Sequence, residues 1–269
     1  MTYIAGRMLW GLLAGAAFAQ QPTAKGVNFY SLANEIELGR QAADRLGRQL
    51  PIVREPKLDA YIALPSSELA KYADNRFTYT FTAYQDRKTP PIRRVRLAMP
   101  VDAFLLPARE PAAIAGGPVF VPLSLLAEAP NEPVFAFQPA HAMAHIALRH
   151  ATRLETKMEL VEIGAQTAPQ MPELAVEVAP LAFSRSVELE ADALAVRIAA
   201  QAGYDPEGVC AYLATLDATD ETPHAFSPHP SPGRRIQAIR SVLKNLPAGG
   251  RAAASGQFDA AKALAAGIR

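Results

Sequence analysis

Apolar residues recur along this chain at two spacings, and the switch between them separates helical from strand-forming stretches. Ser31 can cap a helix in which Leu32, Ile36, Gly39, Ala43, Leu46 and Leu50 step by four and three, the pattern of a single buried stripe. Residues 58–72 keep a helical composition but contain Pro65, whose missing N–H predicts a kink or a split. The spacing then changes. Residues 77–84 are rich in aromatic and β-branched side chains and read as a strand. Further strands are expected at 95–99, 103–106 and 118–121, separated by proline and glycine punctuation. Together they predict one small sheet inserted between helices.

From Asn131 onward the pattern is mostly helical. Asn131 as N-cap and Pro133 in the first turn open a helix expected to run through His141 and His145 to about Arg153. Pro139 lies inside it and should bend it. A loop near residues 166–172 precedes a helix over about 182–202, which Gly203 ends; another runs from Asp205-Pro206 to about Leu216. A loop over 217–230 carries His224 and His229. Ser231 and Pro232 then begin a helix that Pro247 stops. The Ala-rich tail, 247–269, has room for one short helix after Ser255. The fold class is therefore α+β and mainly helical.

Composition narrows the class of partner. Half of the 269 residues are apolar and the formal net charge is +1, so the chain can bury a core but carries no electrostatic footprint for nucleic acid. At the N-terminus, Arg7 precedes an apolar run over 8–18 and then Ala17-Phe18-Ala19 before Gln20, the pattern of a cleaved export signal over 1–19. That run is shorter than the roughly 20 residues a membrane span needs, so the mature chain is expected to be soluble, without a transmembrane helix. Cys210 is the only cysteine, which excludes an internal disulfide; its apolar neighbours Val209, Ala211 and Leu213 predict a buried position.

Two segments carry candidate chemistry. In His141-Ala142-Met143-Ala144-His145 the imidazoles are four apart and share a helix face, which suits two ligands of one zinc ion. The same spacing also occurs on polar helix faces that bind nothing. Glu188 and Asp192 are likewise four apart on the later helix, while Glu190 points elsewhere. Such a helix can offer one carboxylate to a metal and a second to hold a ligating histidine through its other ring nitrogen. The apolar residues around these acids, Leu189, Ala191, Leu194, Ala195 and Ile198, argue against a merely solvated acidic face.

Read together, the segments 141–150 and 183–192 resemble the HtpX and CAAX prenyl protease family of zinc metallopeptidases, whose motifs are HExxH and a downstream ExxxD. The chain is more closely similar to the soluble periplasmic branch of that family, which acts in outer-membrane protein quality control. The likeness includes Gly116-Gly117 before the strand at 119–121, Arg149-His150, Gly203-Tyr204-Asp205-Pro206, and His229-Pro230-Ser231-Pro232 followed by Arg235. It implies a zincin-like metallopeptidase domain over 20–246 and a periplasmic location. Zn2+ would be bound by His141, His145 and Glu188, with Asp192 orienting one of the two histidines. It also implies that His229 acts as a fourth ligand or a transition-state helper, with Arg235 supporting its loop or the oxyanion. The implied partner is a polypeptide substrate or client, with outer-membrane assembly machinery beyond it. His150 is too close to His145 for the third-histidine spacing of metzincins, which predicts a structural role; His224 matches nothing in the family.

The chain departs from the family pattern at Pro65, at Pro139, in the extended stretch 107–114 and, with the largest chemical consequence, beside the first histidine. Metallopeptidase chemistry needs a carboxylate beside the metal to accept a proton and later deliver it to the leaving amine. The HExxH glutamate does this, and here its position is Ala142. Losing a positioned acid or base costs about 10²–10⁴ in rate. Glu190 is on the wrong face to substitute, and Glu132 lies more than two turns earlier. The expectation is a zinc-binding pseudopeptidase that recognises extended polypeptide. The alternatives are an active endopeptidase with another base, such as His229, and a metal-free interaction protein.

Overall fold

A computed structural model describes residues 26–86, 94–95, 104–105, 110–167, 173–217, 230–246 and 255–268. Its elements in chain order are α1 (Leu32–Gln49), α2 (Pro56–Ala70), β1 (Thr80–Tyr84), β2 (Arg94–Val95), β3 (Phe104–Leu105), β4 (Ala112–Ala113), β5 (Pro118–Pro122) and α3 (Leu123–Glu128). After these come α4 (Glu132–Ala147), α5 (His150–Thr167), α6 (Glu173–Gln201), α7 (Glu207–Asp217), α8 (Pro232–Leu243) and α9 (Gly256–Gly267). The export signal over 1–19, His224 and His229 lie outside the described residues.

β1 pairs parallel with β5, and β4 pairs antiparallel on the other side of β5, giving the order β1-β5-β4. Side chains alternate across this sheet. Tyr84, Ala112 and Phe120 face the stripe of α1 formed by Ala42, Leu46 and Leu50. Ala83, Val119 and Val121 face the other way, onto α2, α3, α4 and α9. Because both faces are covered, β5 is apolar along its length rather than alternating in polarity. The close approach of α1 depends on glycine. A Cβ on Gly39 would stand 1.6 Å from the Ala115 carbonyl oxygen, and one on Gly117, at φ +134°, would stand 2.2 Å from that of Thr78.

α4 lies between two cores. Ala136, Phe137, Ala140, Met143, Ala144 and Ala147 pack with α6, α7 and α8, whereas Phe135, Ala142 and Ile146 pack toward the sheet, α3 and α9. A helix apolar on all sides is one that is buried on all sides. The last helix belongs to the same packing. Ser255 caps α9, Phe258, Ala261 and Ala265 are buried, and the Ser255 amide donates to Glu132 Oε2 at 2.9 Å.

Several expectations are corrected. The helix through His145 does not reach Arg153: α4 ends at Ala147, Arg149 takes a left-handed conformation at φ 57°, and α5 begins at His150. Arg149 can hold this unfavourable geometry because its side chain is anchored to buried Glu35 (Nε to Oε2, 2.6 Å) and to the Tyr30 carbonyl (2.5 Å). α2 is not split at Pro65, and α4 runs on through Pro139. Both prolines are buried, and tertiary packing outweighs the lost backbone bond. Among the described residues the strands form two sheets, not one, β2 and β3 pairing with each other apart from β1-β5-β4. β4 falls between the strands expected at 103–106 and 118–121, its two alanines giving no strand signal. α6 starts at Glu173, earlier than the expected 182, and the short α3 was not anticipated.

Candidate metal centre

The two histidines come from α4 and the carboxylate from α6, which crosses against it. Because His141 and His145 are one turn apart, their Nε2 atoms converge to 2.9 Å. Glu188 closes the set, with Oε2 at 3.4 Å from His141 Nε2 and Oε1 at 3.2 Å from His145 Nε2. Ligands at about 2.0–2.1 Å from one tetrahedral ion stand about 3.3 Å from each other, so these separations fit a single zinc-sized ion. Among the described residues, this is the group of histidine, cysteine and acidic side chains arranged to hold a metal. His141 and Glu188 are buried, and His145 is partly open.

Each histidine presents Nε2 to the common point and turns Nδ1 toward a different partner. His141 Nδ1 lies 3.0 Å from Asp192 Oδ1, a close contact whose geometry falls short of a directed hydrogen bond. Asp192 is fully buried and is gripped from behind by Arg235, whose Nε and Nη2 donate to its two oxygens at 2.8 Å each. Of the two histidines, His141 is the one that Asp192 faces. Arg235 acts on Asp192.

His145 Nδ1 lies 2.9 Å from His150 Nδ1. On its other side His150 Nε2 stands 3.4 Å from Glu190 Oε2, and Arg153 Nη1 donates to that same oxygen at 3.1 Å. His150 and Glu190 are site residues that sequence reasoning passed over. In a continuous helix residues five apart point about 140° away from each other; only the turn at Arg149 brings His150 round to its neighbour. The one sequence signal was an acid, Glu190, inside the motif segment.

The electrostatics follow from burial set against charge. For His141, burial disfavours the imidazolium, but the close carboxylates of Asp192 and then Glu188 outweigh it and raise its pKa to about 9 in the metal-free site. Burial likewise acts on Asp192, yet the Arg235 fork and His141 hold its carboxyl down at about 2. His150 goes the other way: burial pushes its pKa down to about 4, so the ring is neutral at physiological pH. Its contact with Glu190, offset in part by burial and reinforced by Arg153, keeps that carboxylate at about 2.

Ala142 is 2% exposed and sits in the apolar cluster with Val121, Leu123, Phe135 and Ile146. The carboxylates considered as replacements are engaged elsewhere. Glu190 is occupied by His150 and Arg153, and Glu132 accepts from the Tyr61 hydroxyl at 3.3 Å and from the α9 cap. No helix among the described residues is long and apolar enough to cross a membrane.

Comparison with known proteins agrees with this geometry. The chain is similar to the protein named beta-barrel assembly-enhancing protease in Escherichia coli (strain K12) and in Shigella flexneri. It is 23% identical to each over 240 residues, covering 80% of this chain. The chain spans about half the length of these curated relatives, 45% of each. The model of peptidase family M48 matches residues 101–243, more than half of the chain, including both histidines, Glu188, Asp192 and Arg235; the chain belongs to peptidase family M48.

Proposed function

We propose that His141, His145 and Glu188 bind zinc, and that the chain is an impaired member of its family that holds extended polypeptides rather than cleaving them efficiently. The observation that carries this reading is a converging ligand set with an alanine where the family motif has its proton-transferring glutamate. Zinc at this point supplies a Lewis acid. The chain's own residues supply the rest. Asp192 and Arg235 fix the His141 ring, and Glu188 gives the site an anionic ligand. The methyl of Ala142 can neither accept nor deliver a proton, and that loss is worth about 10²–10⁴ in rate.

An extended client has a natural docking place. β4 hydrogen-bonds to β5 on one side and, among the described residues, to no strand on the other, and it packs against the helix that carries both histidines. Such an edge can accept a further strand through its backbone groups. The relatives' name concerns β-barrel assembly, which supports a role in outer-membrane protein quality control for an exported, periplasmic chain with a signal over 1–19. Outer-membrane assembly machinery is the partner this implies. His229, from the loop before α8, is assigned to approach the metal as a fourth ligand or a transition-state helper.

The test is a paired assay on purified protein. Elemental analysis is expected to find about one zinc per chain, and casein cleavage is expected to be weak before, and stronger after, Ala142→Glu. Robust wild-type cleavage that chelators abolish overturns the impairment; if His229→Ala then removes it, the loop histidine is the base. Absence of stoichiometric zinc after metal-replete refolding favours a metal-free interaction protein.

A further inference from the structure

His145 and His150 form a pair with two proton arrangements, of which only one leaves a metal ligand. Their Nδ1 atoms are 2.9 Å apart, so one hydrogen lies between them. If it belongs to His150, the neutral His145 ring must carry its own proton on Nε2, the atom that faces His141 and Glu188, and a metal is blocked. If it belongs to His145, Nε2 keeps its lone pair, and His150 must carry its proton on Nε2 instead.

The surroundings of His150 choose between these. Its Nε2 faces Glu190 Oε2 at 3.4 Å, an acceptor that rewards a proton at that position. Arg153 Nη1, 3.1 Å from the same oxygen, holds the carboxylate in place and keeps it anionic. We infer that His150, backed by Glu190 and Arg153, is a positioning residue that sets the tautomer of His145 so that its Nε2 is free to bind the metal. The relay crosses from α5 to α6 and depends on the left-handed turn at Arg149, which aims His150 back at His145. Metal sites use such outer partners to fix ring orientation and ligand basicity, and losing one costs about 10–100-fold in metal affinity. This inference rests on the proposed zinc site.

The experiment uses the full chain labelled with 15N-histidine. Long-range 1H–15N spectra of the metal-free protein at pH 10, above the range in which a charged His141 would itself donate to His145 Nε2, are expected to show His145 protonated at Nδ1. In His150→Phe, which cannot accept the hydrogen, signal is expected to move to the Nε2-protonated form, and Co(II) affinity by chelator competition to fall about 10–100-fold. His150→Gln, whose amide oxygen can accept from His145, should restore most of both. Glu190→Gln, at a side chain 40% exposed, folds without burying a new group and should shift the tautomers in the same direction by less. Unchanged tautomer populations and Co(II) affinity in both His150→Phe and Glu190→Gln overturn the inference while leaving the metal site intact. A wild type that binds neither Co(II) nor zinc overturns the metal reading and this inference with it.

Discussion

His141 and His145 stand four residues apart on one helix, yet their Nδ1 atoms are held by unlike anchors. Behind His141 is a dry ion pair: Asp192, without exposure, clasped by both arms of Arg235 from α8. Behind His145 is a neutral ring, His150, and beyond it a half-exposed carboxylate braced by a single arginine contact. The first anchor ties α4, α6 and α8 into one unit and fixes a charge where water cannot screen it. The second sets only where a proton sits. The difference teaches that equivalent ligand positions can be supported by different physics, one side contributing mainly rigidity and the other a tautomer.

Substitutions should separate the two sides, beginning with the ligand they share. Glu188→Ala removes the anionic member of the proposed ligand set and is expected to lower zinc affinity more than the loss of any outer partner, by over about 100-fold, as read by competition with a chromophoric chelator. Next, Arg235→Ala leaves Asp192 charged and buried without its counter-ion. Breaking such a pair costs about 3–5 kcal/mol, measurable by urea denaturation of the metal-free protein. A loss under about 1 kcal/mol, the worth of an exposed pair, would mean the two sides are alike after all.

Acid should release both anchors. Asp192 and Glu190 have folded-state pKa values lowered to about 2, so the stability they contribute is present above the ordinary carboxylate range. It is lost as pH falls from about 4.5 toward 2. Asp192→Asn is expected to flatten that acid limb more than Glu190→Gln, because Asp192 is buried and Glu190 is partly in water; thermal melts of metal-free protein across this range decide it. Smallest of all, the stability cost of Glu190→Gln at neutral pH, where a 40% exposed side chain loses a water-screened charge contact with Arg153, should be about 1 kcal/mol or less by urea denaturation.

Much of the candidate site was legible because it is local. His141 with His145, and Glu188 with Asp192, are spaced for one helix face, and a helix places such residues together whatever surrounds it. The buried Cys210 was legible for a similar reason, from the apolar residues beside it. The split allowed for at Pro65 does not occur because the local cost of a proline is real but small beside the packing of the helix that contains it. β4 was missed because two alanines carry no strand preference; its pairing comes entirely from β5. His150 was given a structural role because it stands too close to His145 for a third-histidine spacing, and only the turn at Arg149 brings it back onto that ring.

What the sequence by itself determined is the chemistry on offer: two imidazoles and two carboxylates in ligand-like spacing, and an alanine directly after the first imidazole. Those depend on residue identity and on the helical repeat of about 3.6 residues, both readable from letters. What only the tertiary structure decided is which group stands behind which ligand. Asp192 faces His141, Arg235 clasps Asp192, and His150 turns back onto His145. The physical reason lies in long-range contacts: α6 and α8 must pack against α4, and Glu35, more than a hundred residues away in sequence, must hold Arg149 in a conformation that no local propensity favours.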